Sequence, residues 1–168
     1  MEQLIVFDPE ECCGCKRCEK ICSWVHDKVF SKARARVRTV KWETEGVYLP
    51  LSCFQCETPF CMAVCPVGAI TKDEMGVVII DEERCVNCKL CLQACPFGMI
   101  DFNPVTRQVV KCDMCKELGY KPQCVEECPT EALRLAPLDE RAGLLKRRAA
   151  METLRKQREM VLDKTTLA

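Results

Sequence analysis

Long hydrophobic runs are missing from this sequence. The longest apolar stretches are short, such as "GVVII" at 76–80, whereas a bilayer crossing needs roughly 20 residues. The chain is therefore expected to be soluble, with any membrane association made through a partner. No secretory leader is expected either. "MEQLIVFDPEE" holds one short apolar run between acidic flanks, with no basic segment before it. A cytoplasmic location is the expectation. Histidine is reduced to His26 alone, which base rates make a surface or packing residue. There is no glycine-rich nucleotide loop, no nucleophile elbow and no defensible pair of catalytic carboxylates. Net charge is absent as well, with 25 basic and 25 acidic side chains. Their distribution is uneven: residues 139–168 carry eight basic and five acidic groups, a basic tail on a slightly acidic body.

Against these absences stand 17 cysteines in 168 residues. Disulfides, structural zinc and iron–sulfur clusters are the explanations for thiols at that density. Disulfides need an oxidising compartment, to which this N-terminus does not direct the chain, and an odd count leaves one thiol over. Zinc takes four ligands at one tetrahedral centre, usually from two well-separated pairs. The spacing here is different. Block one is Cys12-x2-Cys15-x2-Cys18-x3-Cys22, and block two is Cys53-x2-Cys56-x4-Cys61-x3-Cys65-Pro66. Block three is Cys85-x2-Cys88-x2-Cys91-x3-Cys95-Pro96, and block four is Cys112-x2-Cys115-x8-Cys124-x3-Cys128-Pro129. Together they form an internal repeat.

Three thiolates from one tight loop suit three corners of a cubane 4Fe–4S cluster, with the fourth corner supplied from elsewhere in the chain. Four blocks of four cysteines fill four cubanes and leave no iron open to a substrate. The expected chemistry is one-electron transfer, so the chain is not expected to be an enzyme by itself. Cys13 lies inside the first two-residue gap of block one. A register that used it would break the gap kept by the other three blocks, so Cys13 is not expected to be a ligand.

Short elements are predicted between the blocks. "GVVIID" (76–81) and "RQVVKC" (107–112) are β-branched, bounded by turn residues, and able to pair with "AITK" and "MIDF" as hairpins. "QLIVF" (3–7) and "ALRL" (132–135) can pair likewise. The last gap of each block suits one helical turn, as in "CKLCLQAC", which predicts a repeated βαβ-like unit of about 26 residues. In "KARARVRTVKW", Arg34, Arg36 and Arg38 alternate with Ala35 and Val37, the period of a half-buried strand. These charges either form a solvated face, offset the charge of nearby clusters, or meet an acidic partner. Residues 138–164 predict one long helix, opened by Pro137 and Asp139 and expected to dock another chain.

Four stretches carry a family resemblance: "CCGCKRCEKIC", "LPLSCFQCETPFCMAVCP", "CVNCKLCLQACPFGMI" and "VVKCDMCKELGYKPQCVEECPTEAL". Covering most of residues 10–135, they resemble the four-cluster ferredoxin-like electron-transfer subunits of multi-subunit oxidoreductases. Among these are the iron–sulfur subunits of dimethyl sulfoxide reductase and formate dehydrogenase. The resemblance implies an α+β fold of two bacterial dicluster ferredoxin-like modules plus a long C-terminal α-helix. Residues 1–52 and 96–137 would form the first module, with 23–52 as linker. Residues 53–95 would form the second, its hairpin extending to about 110, and 138–168 the docking helix and tail.

The resemblance also implies the ligand sets. Cluster one would be held by Cys12, Cys15, Cys18 and Cys128, and cluster two by Cys22, Cys112, Cys115 and Cys124. Cluster three would take Cys53, Cys56, Cys61 and Cys95, and cluster four Cys65, Cys85, Cys88 and Cys91. The short linkers make the chain similar to small soluble forms that accompany tungsten enzymes of the aldehyde oxidoreductase class, including the benzoyl-coenzyme A reductase type. The expected role is an electron relay in anaerobic metabolism, between a catalytic molybdenum or tungsten subunit and a further acceptor, without nucleic acid. A free polyferredoxin and an iron–sulfur redox sensor are the alternatives. The long helix and the basic 32–41 segment could also join copies of the chain.

Overall fold

The computed structural model describes residues 3–137. The helix and tail expected at 138–168 lie outside the described residues. The chain opens with β1 (Gln3–Phe7), followed by α1 (Arg17–Asp27) and the strands β2 (Val37–Trp42) and β3 (Val47–Ser52). Then come α2 (Phe60–Ala63), β4 (Ile70–Lys72), β5 (Val78–Ile80) and α3 (Leu90–Ala94). The last elements are β6 (Ile100–Asn103), β7 (Gln108–Lys111), α4 (Gln123–Glu126) and β8 (Leu133–Pro137). The strands form antiparallel pairs, β2 with β3, β4 with β5, β6 with β7, and β1 with β8.

This order is a repeat of four units, each a helix followed by a hairpin. The fourth, α4–β8, takes its second strand from the start of the chain, with Gln3 opposite Pro137 and Phe7 opposite Leu133. The hairpins form where the turn residues predict them, but the βαβ-like unit does not. Strands flanking a helix belong to different hairpins, and no pair among the described residues is parallel. Local turn chemistry decides this. Between β4 and β5, the Asp73 carbonyl accepts from Gly76 N–H at 2.9 Å, and the Asp73 carboxylate accepts from Val77 N–H at 2.9 Å. Between β6 and β7, Asn103 Oδ1 accepts from the N–H groups of Val105 and Thr106. Each turn closes the chain onto the strand just made.

Helix lengths follow the prolines. Blocks two, three and four end in Cys-Pro, and proline disfavours helix at the residue before it. Their helices stop after four or five residues. Block one has Ser23 after Cys22, so α1 runs for 11 residues and stops at Lys28, whose left-handed backbone returns its N–H to the Trp24 carbonyl. The 32–38 segment begins as a 3-10 turn at Lys32–Arg34, and the strand starts only at Val37. Alternation holds from Ala35 onward: Ala35, Val37 and Thr39 are buried while Arg36 and Arg38 are half-buried.

A two-stranded ribbon is marginal alone, so these hairpins depend on what they cover. The larger core gathers Ile5, Phe7, Val37, Phe54, Met114 and Leu133 with Cys18, Cys22, Cys112 and Cys124. A smaller one gathers Ile70, Val78, Ile100 and Val109 with Cys61 and Cys91. α1 packs on α4, and α2 on α3. Phe54 meets Phe7 of the larger core edge-on at 5.5 Å and lines one cavity with Cys61, Val78 and Ile100 of the smaller one.

Candidate cluster-binding cysteines

Each block begins with the same reversal. The residue before the second cysteine has a left-handed backbone in all four: Gly14 (φ 67°), Gln55 (46°), Asn87 (55°) and Met114 (60°). For a residue with a side chain this conformation costs about 1–2 kcal/mol, so the surrounding structure imposes it. At position 14 glycine is also required sterically, because a Cβ there would lie 2.6 Å from the Tyr48 ring. In blocks one, two and three the reversal brings the first two cysteines to one cavity.

A helix then carries the third cysteine, and a different block completes the wall. One cavity is lined by Cys12, Cys15, Cys18 and Cys128, with the exposed Cys13 at its edge. A second is lined by Cys53, Cys56, Cys61 and Cys95. A third is lined by Cys65, Cys85, Cys88 and Cys91. Cys22, Cys112, Cys115 and Cys124 are all buried, and the charges of Cys112, Cys22 and Cys115 act on Cys124. The sets are neighbours in a row. Cys91 feels Cys61, Cys112 feels Cys53, and Cys124 feels Cys18.

Burial governs the thiols. It pushes Cys22 up to about 12 and Cys91 up to about 11, and it raises Cys112 and Cys124 well above the ordinary thiol value. Bare thiolates are therefore disfavoured where burial is deepest; a bound metal that takes the place of the proton removes that penalty. Cys65 differs. Burial would raise it, but the N–H groups of Ala69, Val67, Ile70 and Gly68 together lower it. Its position is set by the Cys-Pro turn, in which the Cys65 carbonyl accepts from Gly68 N–H and Cys65 Sγ from Ala69 N–H at 3.2 Å. Cys95 repeats this with Gly98 and Met99, whose N–H lies 3.4 Å from Sγ. Cys22 has no such turn, and Arg36 N–H reaches its Sγ at 3.2 Å from β2's approach instead.

Arg36 and Arg38 of the 32–38 segment are engaged within the chain. Arg36 holds Asp113, beside Cys112, at 2.8 Å, and Arg38 pairs with Asp101 at the base of β6. These contacts replace the solvated face that alternation alone allows. His26 packs 3.7 Å from Asp113; burial, then the Arg36 charge, lowers its pKa. Sequence reasoning missed Gln55 and Lys111, both buried between cysteine sets. Nothing in the local pattern marks them, since a lysine ending a strand reads as solvated.

Among the described residues, no three His, Cys, Asp or Glu side chains converge closely enough to hold a single metal ion. The thiols line cavities instead, four in two of them and five, Cys13 included, in the third, with N–H donors aimed at several sulfurs. That donor set fits an iron–sulfur cluster, where hydrogen bonds to sulfur are among the protein's means of tuning.

The model of a family described as "4Fe-4S dicluster domain" matches residues 44–138, and that of a "4Fe-4S binding domain" matches residues 9–29. Between them the matches take in all four blocks. A subunit of the anaerobic dimethyl sulfoxide reductase of Escherichia coli (strain K12) is 39% identical over 149 residues, covering 80% of this chain and 73% of the relative. The thiosulfate reductase electron transfer subunit of Salmonella typhi is 34% identical over 149 residues, covering 83% and 78%. Among solved structures, one component of the active site complex of benzoyl coenzyme A reductase aligns with a TM-score of 0.48 at 26% identity, covering 80% of this chain and 75% of that one.

Proposed function

The chain belongs to the 4Fe–4S dicluster family of iron–sulfur electron-transfer subunits, and from that premise we propose that it relays single electrons through a row of four 4Fe–4S clusters. The observation that carries the proposal is the gathering of cysteines from different blocks around three cavities, beside a fourth group of buried thiols whose charges act on one another. Each set would hold one cluster: Cys65, Cys85, Cys88 and Cys91 at one end, then Cys53, Cys56, Cys61 and Cys95. Cys22, Cys112, Cys115 and Cys124 follow, with Cys12, Cys15, Cys18 and Cys128 at the other end. The first pair of sets forms one dicluster module, built on blocks two and three, and the last pair forms the other, built on blocks one and four. When bound, the clusters supply the one-electron chemistry. The protein spaces them, buries the inner thiols and directs N–H groups at sulfur.

Exposure supports the two ends as entry and exit. Cys88 and Cys15 are exposed, and they belong to the outermost sets. The partner is a catalytic reductase subunit, and the family resemblance favours a molybdenum or tungsten enzyme. Co-purification from the native source would identify it by its cofactor.

Anaerobic reconstitution tests the core of the reading, with about sixteen irons and sixteen sulfides expected per chain. Stoichiometric zinc, or about half that iron, would overturn it. Cys13 occupies the turn position held by Phe54, Val86 and Asp113 in the other blocks, so it is read as a bystander. Cys13→Ser is expected to keep the full iron content and Cys15→Ser to lose or convert one cluster. The reverse result would reassign the register of block one.

A further inference from the structure

Lys111 closes β7 immediately before Cys112, and it is only 3% exposed. Its ammonium donates to the Cys112 carbonyl at 2.7 Å and to the Val78 carbonyl. Gln55 braces the same two residues. Its amide donates to the Cys112 carbonyl at 2.9 Å and accepts from Val78 N–H at 2.9 Å. Val78 lines the cavity of Cys53, Cys56, Cys61 and Cys95, while Cys112 belongs to the fully buried set. The ammonium therefore lies on the partition between the two central cysteine sets.

Among the described residues Lys111 forms no ion pair with a carboxylate. Burying an ion costs several kcal/mol unless an opposite charge compensates it, and two carbonyl dipoles are weak compensation. A methionine would fill the same space without that cost. The anion that does fit is the cluster itself, because a 4Fe–4S core on four thiolates is negatively charged in both of its usual redox states.

We propose that Lys111 is a positioning residue that acts as the internal counter-cation of the two central clusters and raises their reduction potentials. A fixed positive charge favours the more negative, reduced state of a neighbour, and it does so most strongly where water is excluded. The two middle positions of the row thus become the easier ones to reduce, and the outer two are affected less. In the same sense, the Lys111 charge favours the thiolates of Cys61 and Cys112, one from each central set. The inference rests on the four-cluster reading above.

The test uses the full chain, reconstituted anaerobically, with iron counted and each couple followed by EPR-monitored redox titration. In Lys111→Met, iron is retained and two couples move to more negative potential. Their reduced-to-oxidised ratio at fixed poise falls at least tenfold, about 59 mV for a one-electron couple. Lys111→Arg keeps the charge and stays within threefold of the wild type. Unmoved couples in an iron-replete Lys111→Met would overturn the proposal, and so would equal shifts in both variants, which mark packing instead of charge. Iron lost from Lys111→Met but kept in Lys111→Arg supports the charge requirement; iron lost from both overturns it. A wild-type chain without 4Fe–4S signals would overturn the cluster reading itself, before any variant is compared.

Discussion

The half of the molecule built on blocks one and four buries five of its nine thiols, and the half built on blocks two and three buries two of its eight. Cys18, Cys22, Cys112, Cys115 and Cys124 are buried in the first half, against Cys61 and Cys91 in the second. The repeat unit is the same, so the difference comes from what covers it. Block one lacks the proline that stops the other helices, and its 11-residue helix lays extra surface over α4. The longer β2–β3 hairpin and the β1–β8 ribbon close the same side. In the second half, Phe60, Val86, Leu90 and Phe97 remain exposed around their cysteines. The placement of the cysteines is thus a property of the repeat, whereas solvent access is a property of the cover.

The sharpest way to break this comparison is to remove one thiol from each half. Cys124→Ser strikes the buried set inside the larger core, and is expected to lose more than one cluster's iron or fail to fold. Cys88→Ser strikes an exposed rim and is expected to lose or convert one cluster, about four irons at most. Iron and sulfide analysis reads both, and equal losses would abolish the distinction.

Glycine substitutions give the next contrast. Gly14→Ala forces both a left-handed backbone and a collision with Tyr48, a destabilisation of about 4 kcal/mol. Gly98→Ala has the same backbone problem in open space and is expected to cost about 1 kcal/mol. Denaturant midpoints of the loaded chain would separate them. Ion pairs follow. Arg36→Ala removes the 2.8 Å partner of Asp113, which keeps only the Cys115 N–H and His26, at a cost of about 2 kcal/mol. Arg17→Ala breaks only the exposed pair with Glu127 and should change stability by about 0.5 kcal/mol or less.

The smallest effect tests the join between the halves, where Tyr120 donates to Asp73 at 2.6 Å. That hydrogen bond holds Tyr120 up at about 12. Burial opposes it at Asp73, but the bonds from Tyr120 and Val77 still bring this carboxyl below its usual 3.8. A raised tyrosine contributes stability below its unfolded value of 10, which is lost as pH climbs through about 12. A depressed aspartate contributes above 3.8, and that contribution is lost as pH falls through its folded value. Tyr120→Phe should therefore lower the unfolding midpoint slightly and evenly between pH 5 and 9, with the gap to wild type shrinking on either side. A gap unchanged at both extremes would remove the hydrogen bond as its cause.

Much of the fold was legible because its signals are local. Asp73 with Gly76, and Asn103 with Pro104, mark turns whose hairpins form where the residues predict, and the cysteine spacing marks each helix. The cross-block partner of each fourth cysteine was not legible from spacing, since the direction in which Cys22 or Cys95 faces is settled by packing; only the family resemblance suggested it. The βαβ-like expectation went wrong because spacing alone does not say which neighbour a strand will choose. Arg36 showed in the alternation, but its partner Asp113 lies 77 positions away. Gln55 and Lys111 gave no sequence signal at all, because their meaning depends on a partition between two cavities.

The closing of the fourth hairpin by β1 has a consequence for synthesis. The cavities are nested in the chain like brackets. Every thiol of the two sets built on blocks two and three has been made by residue 95, the buried set is complete only at Cys124, and the set that begins with Cys12 waits for Cys128. The first cysteines made are thus among the last to be enclosed. Until β8 emerges to meet its partner strand, block one must remain reduced and unclaimed by the wrong metal, so the earliest-made thiols have the longest wait.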